Sequence, residues 1–134
     1  MLKLSGSEPV LVAFGESASV TLAAPSPRIV AAGRQASRQA LDDDADLSPA
    51  LAMVAFSEGV LRAAITEWEG IGDAEGEPIV CDPRGISLAL GDVGFFDRLD
   101  DQYVIPMMAR EAEKNAFAAS SAGTSKRATA DKTI

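Results

Sequence analysis

The stretch from Ala64 to Pro83, AITEWEGIGDAEGEPIVCDP, decides how the chain is folded, because a long apolar segment ends in it and a new helix begins after it. It holds the only tryptophan and the only cysteine of the chain, with acids and glycines between them. Trp68 closes the apolar pattern, and Gly70 and Gly72 supply the permissive backbone that a helix end needs. We therefore predict that this stretch turns the chain between two helices.

The carboxylates of this turn match no familiar catalytic or metal site. Counting Asp73 as the first ligand of a calcium loop puts Arg84 where a bidentate Glu is required. Acid/base catalysis by two acids needs one pKa raised in an apolar pocket, and an exposed glycine-rich turn gives no reason for such a shift. A second acidic run, DDDAD at residues 42–46, also lacks spaced ligands and is interpreted as a solvated loop. We expect no metal and no cofactor.

The segment before the turn, residues 48–68, is predicted to be the core helix. Ser48 and Pro49 provide an N-cap followed by proline at the first helical position. The apolar residues form two stripes at helical spacing, Leu51, Val54, Leu61, Ile65 and Trp68 in one and Met53, Phe56 and Val60 in the other. More than one face of this helix is therefore expected to be covered by other elements.

Upstream, alternating apolar residues on either side of Gly15 predict a β-hairpin over about residues 8–23. Ser26 and Pro27 then cap a helix over residues 27–41, in which Arg34 and Arg38 share a face that is most simply solvated.

Downstream, Asp82 and Pro83 begin a short helix at 83–90, and a further helix is predicted at 93–115. Pro106 cannot donate a hydrogen bond inside that helix, so we expect a kink or a break near Val104. After Phe117 the residues are small and polar, which predicts a flexible tail at 118–134. The predicted fold is one domain, residues 1–117, mainly α with a short N-terminal β-hairpin (α+β) and about four helices.

Composition narrows the function classes. The chain has no histidine and one cysteine, Cys81, which leaves neither an imidazole ligand nor a protease-type nucleophile pair. A net charge of −8 argues against nucleic acid or an anionic membrane as the main partner. The 134 residues hold no apolar run long enough for a membrane span or a signal peptide, so a cytoplasmic location is expected.

Three stretches in the second half of the chain resemble the small tail assembly chaperones of long-tailed bacteriophages and prophages, in the version found in proviruses of alphaproteobacteria. They are the WEGIGD turn with the following Gly76-Glu77-Pro78, the Phe-rich helix leading to YVIP at 103–106, and EAEKN at 111–115 running into the Ser/Gly/Thr segment at 120–125. The first half fits only loosely.

The resemblance implies a non-enzymatic accessory that binds the tape-measure protein in the bacterial host cytoplasm and helps recruit tail-tube subunits. It supplies no catalytic residue. The partner-binding region is predicted to be the turn at Trp68 and the helix from Phe95 to Arg110, through Trp68, Phe96, Tyr103, Met107 and Arg110. The alternative is that the aromatic residues of this set belong to the core.

Other functions stay open at this point. A structural protein of the virion, such as a minor tail or connector component, would share the acidic body but remain in the particle. A small Asp/Glu hydrolase and a host-directed inhibitor are further alternatives, and homo-oligomerisation is left open.

Overall fold

A computed structural model describes residue 1, residues 6–113, and residues 115 and 116. The predicted α+β class is confirmed, since a three-stranded antiparallel sheet near the N-terminus is combined with helices over most of the remaining described chain. The flexible tail predicted for 118–134 lies outside the described residues, as does Phe117.

The elements follow one another in a simple order. They are β1 (Val10–Phe14), β2 (Ala18–Leu22), α1 (Pro27–Asp43), α2 (Pro49–Ala64), β3 (Ile65–Glu69), α3 (Pro83–Leu90), α4 (Val93–Leu99), a π-helical turn (Asp100–Val104) and α5 (105–113, with 115 and 116 also helical). The sheet order is β1-β2-β3, and β1 and β2 form the predicted hairpin. β3 follows α2 in the chain and pairs with β2 as the third strand.

Four helices begin with a side-chain cap that the local sequence encodes. Ser26 and Ser48 accept a hydrogen bond at Oγ from the backbone N–H three residues ahead, at 3.4 and 3.2 Å. Asp82 and Asp92 do the same with Oδ1, at 2.7 and 2.9 Å. Each cap satisfies one of the N–H groups that a helix start leaves without a partner, which is why α1, α2, α3 and α4 begin where they do.

The prediction of a helix over 48–68 is wrong in its last turn. α2 ends at Ala64, and Ile65–Glu69 form β3, which pairs antiparallel with β2. Thr21 pairs with Glu67 while the adjacent Leu22 pairs with Ile65, so the register shifts and Thr66 is an extra residue. Because of this bulge, Ile65 and Trp68 lie on the same side of the sheet although they are three residues apart. That spacing is also the helical one, and the sequence pattern therefore suited both structures.

The core lies between one face of the sheet and the helices. Its fully buried side chains come from every layer, and the largest are Val12, Val20, Leu22, Val60, Leu61 and Leu99. An aromatic cluster closes the side near β1, where Phe14 stacks on Phe95 with a centroid distance of 5.2 Å and Trp68 meets Phe95 edge-on at 5.9 Å. Arg98 lies over Phe14 and donates from Nε to the Ala13 carbonyl, which ties α4 to the edge strand.

α1 and α2 approach each other closely at two glycines. A Cβ atom on Gly59 would lie 2.6 Å from the Cβ of Ala36 and 2.7 Å from the carbonyl oxygen of Ala32. A Cβ atom on Gly33 would lie 2.6 Å from a methyl group of Val60. These contacts fix α1 against one face of α2. The other faces of α2 are not in contact with these glycines of α1.

The irregularity predicted near Val104 is the π-helical turn at Asp100–Val104. The N–H of Ile105 donates to the carbonyl of Asp100, five residues back, and α5 then continues through Pro106. Proline removes one hydrogen bond from a regular helix, and the wider turn carries the chain past the residue that cannot donate.

Candidate functional site

The main candidate is an apolar groove between the N-terminal half of α2 and the segment from α4 to α5, here named the α2–α5 groove. α2 contributes Met53, Val54, Phe56 and Ser57. The opposite wall consists of Phe96, Asp100, Val104, Ile105 and Met108. The groove has a volume of about 340 Å³, and seven of these nine side chains are apolar.

Helical spacing explains why these residues meet. On the α4–α5 side, the four residues Phe96, Asp100, Val104 and Met108 recur at steps of four and so lie along one face. On α2, Met53 and Ser57 are also four apart, with Val54 beside them. The sequence alone gives each row, but it does not show that the two rows face each other.

The N-terminal half of α2 is exposed, which corrects the prediction that both of its apolar stripes are covered. Leu51, Met53 and Val54 are 55, 64 and 39 % exposed, whereas the buried residues of α2 begin only at Ser57. The reason is where the sheet attaches: the N–H of Ala23 donates to the carbonyl of Ala64, at the C-terminal end of α2. The sheet therefore covers that end of the helix, and the apolar surface near its start remains open.

The floor of the groove holds one polar pair. The hydroxyl of Ser57 donates to Oδ1 of Asp100 at 2.7 Å, and Ser57 is only 4 % exposed. Asp100 is half-buried at the start of the π-helical turn. A carboxylate beside apolar side chains is costly unless hydrogen bonds or an opposite charge compensate it, and here a neutral hydroxyl provides the compensation.

The five predicted partner-binding residues fall into two groups. Tyr103 and Met107 are buried in the core, 2 and 5 % exposed. Trp68 is half-buried against the core, and its Nε1–H donates to the Ile79 carbonyl at 2.8 Å. Phe96 lines the α2–α5 groove, and Arg110 is exposed on α5, two residues beyond the groove residue Met108. A role in binding stays a prediction for this region.

Tyr103 connects the π-helical turn to the sheet. Its hydroxyl donates to the carbonyl of Ala23 at 2.7 Å. Burial raises the pKa of Tyr103 to about 12, because the phenolate would lose its hydration there. Its position is one of structural support for the wall of the groove.

A second hollow, here named the loop cleft, lies between the turn after β3 and the helices α3 and α4, with a volume of about 820 Å³. Two carboxylates line it, and both accept hydrogen bonds from backbone N–H groups. Asp73 accepts at Oδ1 from the N–H groups of Glu75 and Glu77, each at 2.9 Å, and Asp92 is the cap of α4. The turn predicted for this stretch is present, although it connects β3 to α3 and not two helices.

Gly70 and Gly76 allow the turn to close. Both have positive φ angles, +72° and +84°, that residues with a side chain rarely adopt. The N–H of Ile79 donates to the carbonyl of Ile71, which pairs the two arms of the loop.

Cys81 lies half-buried next to this loop. Burial, followed by the charges of Asp82 and Glu67, raises the pKa of the Cys81 thiol. The thiol is therefore protonated near neutral pH and is a poor nucleophile.

Within residues 6–113 and the other described positions, no group of three or more His, Cys, Asp or Glu is arranged to hold a metal ion. Among the helices in the same part of the chain, none combines the length and apolar character needed to cross a membrane. No family model, curated protein or solved structure matches this chain.

The groove contains residues that sequence reasoning does not name individually as a site. The pattern on α2 predicts Met53, Val54 and Phe56 to be covered, and Asp100 and Ile105 lie within the predicted binding region, Phe95 to Arg110, without a role of their own. In the sequence, Asp100 stands out as an acid in a row of apolar residues that recur at steps of four. Whether such an acid marks a binding site depends on which residues face that row, and the sequence does not show this.

Proposed function

We propose that this chain is a non-enzymatic phage tail assembly chaperone, which binds the tape-measure protein and assists assembly of the tail tube. The observation that carries the proposal is the apolar α2–α5 groove, whose α2 wall includes the exposed side chains of Met53 and Val54. An open groove lined by apolar side chains is a common form of binding site on a protein surface.

The particular partner comes from the resemblance of the second half of the chain to these chaperones. The groove suits that role physically, because an apolar groove between helices accepts the apolar face of an amphipathic helix. The resemblance implies a long, aggregation-prone partner with exposed apolar faces. A chaperone of this kind covers those faces during assembly and keeps the complex soluble.

The acidic character of the chain fits the same role. A net charge of −8 keeps a complex with an aggregation-prone partner soluble, and it favours a partner surface of opposite charge.

Co-expression of this chain with a tape-measure protein of a long-tailed phage tests the proposal. We expect a soluble complex that co-elutes in an affinity pull-down and scatters light as a defined particle. The double variant Met53→Gln, Ile105→Gln removes apolar contact from the groove without adding charge and is expected to lower recovery of the complex. Val80→Gln is the matched control, since Val80 is 71 % exposed and lines neither hollow.

An insoluble tape-measure protein with nothing co-eluting would contradict the chaperone function. Mass spectrometry of purified virions distinguishes the structural alternative: a chaperone is expected to be absent from finished particles, and stoichiometric recovery there would replace the proposal by a virion component.

A further inference from the structure

We propose that the α2–α5 groove recognises an amphipathic helix whose apolar face is bordered by lysine or arginine, and that Asp100 pairs with that cation. The inference rests on the proposed function and deepens it, because it names the type of segment that the partner presents and the place where it docks.

The shape of the groove favours a helix over a small ligand. One wall follows Phe96 to Met108, which corresponds to about 18 Å of helix at the usual rise per residue. Apolar side chains line this wall on both sides of Asp100, and Met53, Val54 and Phe56 face them from α2. Such a surface matches the apolar residues that a docked helix presents at steps of three and four. The two methionines, Met53 and Met108, are flexible side chains that adapt to different partner side chains.

The charge of the groove selects a cationic helix. Asp100 is half-buried among the apolar lining, and Ser57 is the one side chain to which it is hydrogen-bonded within the described residues. Among the described residues that line the groove there is no lysine or arginine, and the acids Glu58, Asp97 and Asp101 adjoin lining residues in the sequence. A lysine or arginine brought to Asp100 by a partner would form a charge-assisted hydrogen bond away from bulk water, where such bonds are strongest.

Two other occupants fit less well. The residues from 117 onward carry Lys126, Arg127 and Lys132, but their only large apolar side chains are Phe117 and Ile134, far apart in the sequence. Their sequence therefore lacks the apolar residues at steps of three and four that an amphipathic helix needs. A second copy of the chain brings another net charge of −8 to an acidic groove, and the like charges repel.

The test measures binding of fluorescein-labelled synthetic helices to the full chain by fluorescence polarisation. The first probe is an amphipathic peptide of about 18 residues, long enough for a stable helix, with leucines on one face bordered by lysines. The second probe has the same leucines and carries glutamate in place of each lysine. The third is the peptide of residues 117–134. We expect the lysine probe to bind at least about tenfold more tightly than the glutamate probe.

Asp100→Asn keeps an acceptor for Ser57 and removes the charge. This variant is expected to weaken binding of the lysine probe about tenfold and to leave binding of the glutamate probe unchanged or stronger. The double variant Met53→Gln, Ile105→Gln is expected to weaken the lysine probe as well, and Val80→Gln is expected to leave all affinities unchanged. Circular dichroism verifies that each variant is folded.

Equal affinity for the two charged probes, no detectable binding of either, or binding insensitive to the groove variants would overturn the inference. Tight binding of the 117–134 peptide in competition with the lysine probe would assign the groove to the chain's own C-terminal segment. The proposed function is judged separately. If the tape-measure complex still forms with the groove variants, only the inference about the groove is refuted. If the groove binds the lysine probe but no tape-measure complex forms, only the chaperone function is refuted.

Discussion

Tyr103 is the residue through which the π-helical turn supports the sheet. It is 2 % exposed, and its hydroxyl donates to the Ala23 carbonyl just after β2. Because Ala23 also donates to Ala64 at the end of α2, a single short segment links the hairpin, α2 and the helix that forms one wall of the α2–α5 groove. The position of that wall relative to α2 therefore depends on contacts made by buried residues.

The pKa of Tyr103 gives a direct test of this burial. Its folded value, about 12, lies above the ordinary 10.0, so folding favours the neutral phenol. The stability that Tyr103 contributes is complete below pH 10 and is lost as the pH rises from about 10 to about 12. Since the chain has a single tyrosine, we expect the tyrosinate absorbance to titrate near pH 12 in the folded protein and near pH 10 in urea.

Far-UV circular dichroism over the same pH range shows whether the protein is still folded at each point. A folded protein that titrates near pH 10 would show that Tyr103 is accessible to water and would contradict its placement.

Two glycines of the turn after β3, Gly70 and Gly76, allow the cost of backbone strain to be measured separately from the cost of steric overlap. Both have a positive φ, but a Cβ atom on Gly70 would lie 2.1 Å from the Ser17 carbonyl oxygen, whereas a Cβ atom on Gly76 would meet nothing within 4 Å. We expect Gly76→Ala to cost about 1 kcal/mol of unfolding free energy, from backbone strain alone. Gly70→Ala is expected to cost at least about 2 kcal/mol more, because backbone must move.

Urea denaturation of the two variants measures both values against the unsubstituted protein. Equal costs would mean that β3 and the β1–β2 turn do not approach each other as closely as the structure shows.

At the scale of the elements, the α1–α2 pair and β3 decide the shape of the domain. The glycine contacts bring α1 close to one face of α2, and the sheet attaches at the end of α2 through β3. Together they leave Leu51, Met53 and Val54 near the start of α2 exposed, and the groove lies at this end of the helix.

The close approach of α1 and α2 predicts a reversal of helix propensity. Alanine is a better helix former than glycine by about 1 kcal/mol, yet Gly59→Ala is expected to destabilise the protein by about 2 kcal/mol or more, since its methyl group would overlap Ala36 and the Ala32 carbonyl. Gly94→Ala in α4 is the control, because the nearest atom, Oδ1 of Asp92, is at an ordinary 3.4 Å. This control is expected to be neutral or slightly stabilising.

Thermal and urea unfolding of both variants provide the measurement. A stabilising effect at Gly59 would indicate that the two helices are further apart than described, and that propensity alone governs the site.

At the scale of the whole molecule, charge is the dominant feature. The net charge of −8 produces repulsion between exposed acids, among them Asp42, Asp43 and Asp46 at the end of α1 and in the loop that follows. Asp42 and Asp43 also oppose the helix dipole, since the last turn of α1 contains no basic residue.

Salt is therefore expected to stabilise the folded protein at pH 7. Raising NaCl to about 0.3 M shortens the screening length well below 10 Å, and we expect the thermal midpoint to rise by about 2–4 °C, equivalent to about 0.5 kcal/mol. Differential scanning calorimetry measures the shift, and the same series near pH 4.4, where the net charge is close to zero, is expected to show a smaller one. A fall in the midpoint at pH 7 would show that attractive charge pairs outweigh the repulsion.

The local sequence determined where the helices start. The side chains of Ser26, Ser48, Asp82 and Asp92 each bond a backbone group only three residues away, so the pattern of residues is sufficient to place these starts. The hairpin at β1 and β2 and the helix at 83–90 follow from short-range patterns in the same way, as does the irregularity before Pro106.

Only the tertiary structure decided that Ile65 and Trp68 lie in a strand and that apolar residues near the start of α2 remain exposed. An apolar spacing of three or four fits a helix, and it also fits a strand with a bulge, so β3 depended on pairing with β2 more than forty residues earlier in the chain. An apolar helix face likewise does not indicate what will cover it. The groove and the setting of Asp100 exist because α1 and the sheet occupy other parts of α2, and those are contacts between residues distant in sequence that no local pattern contains.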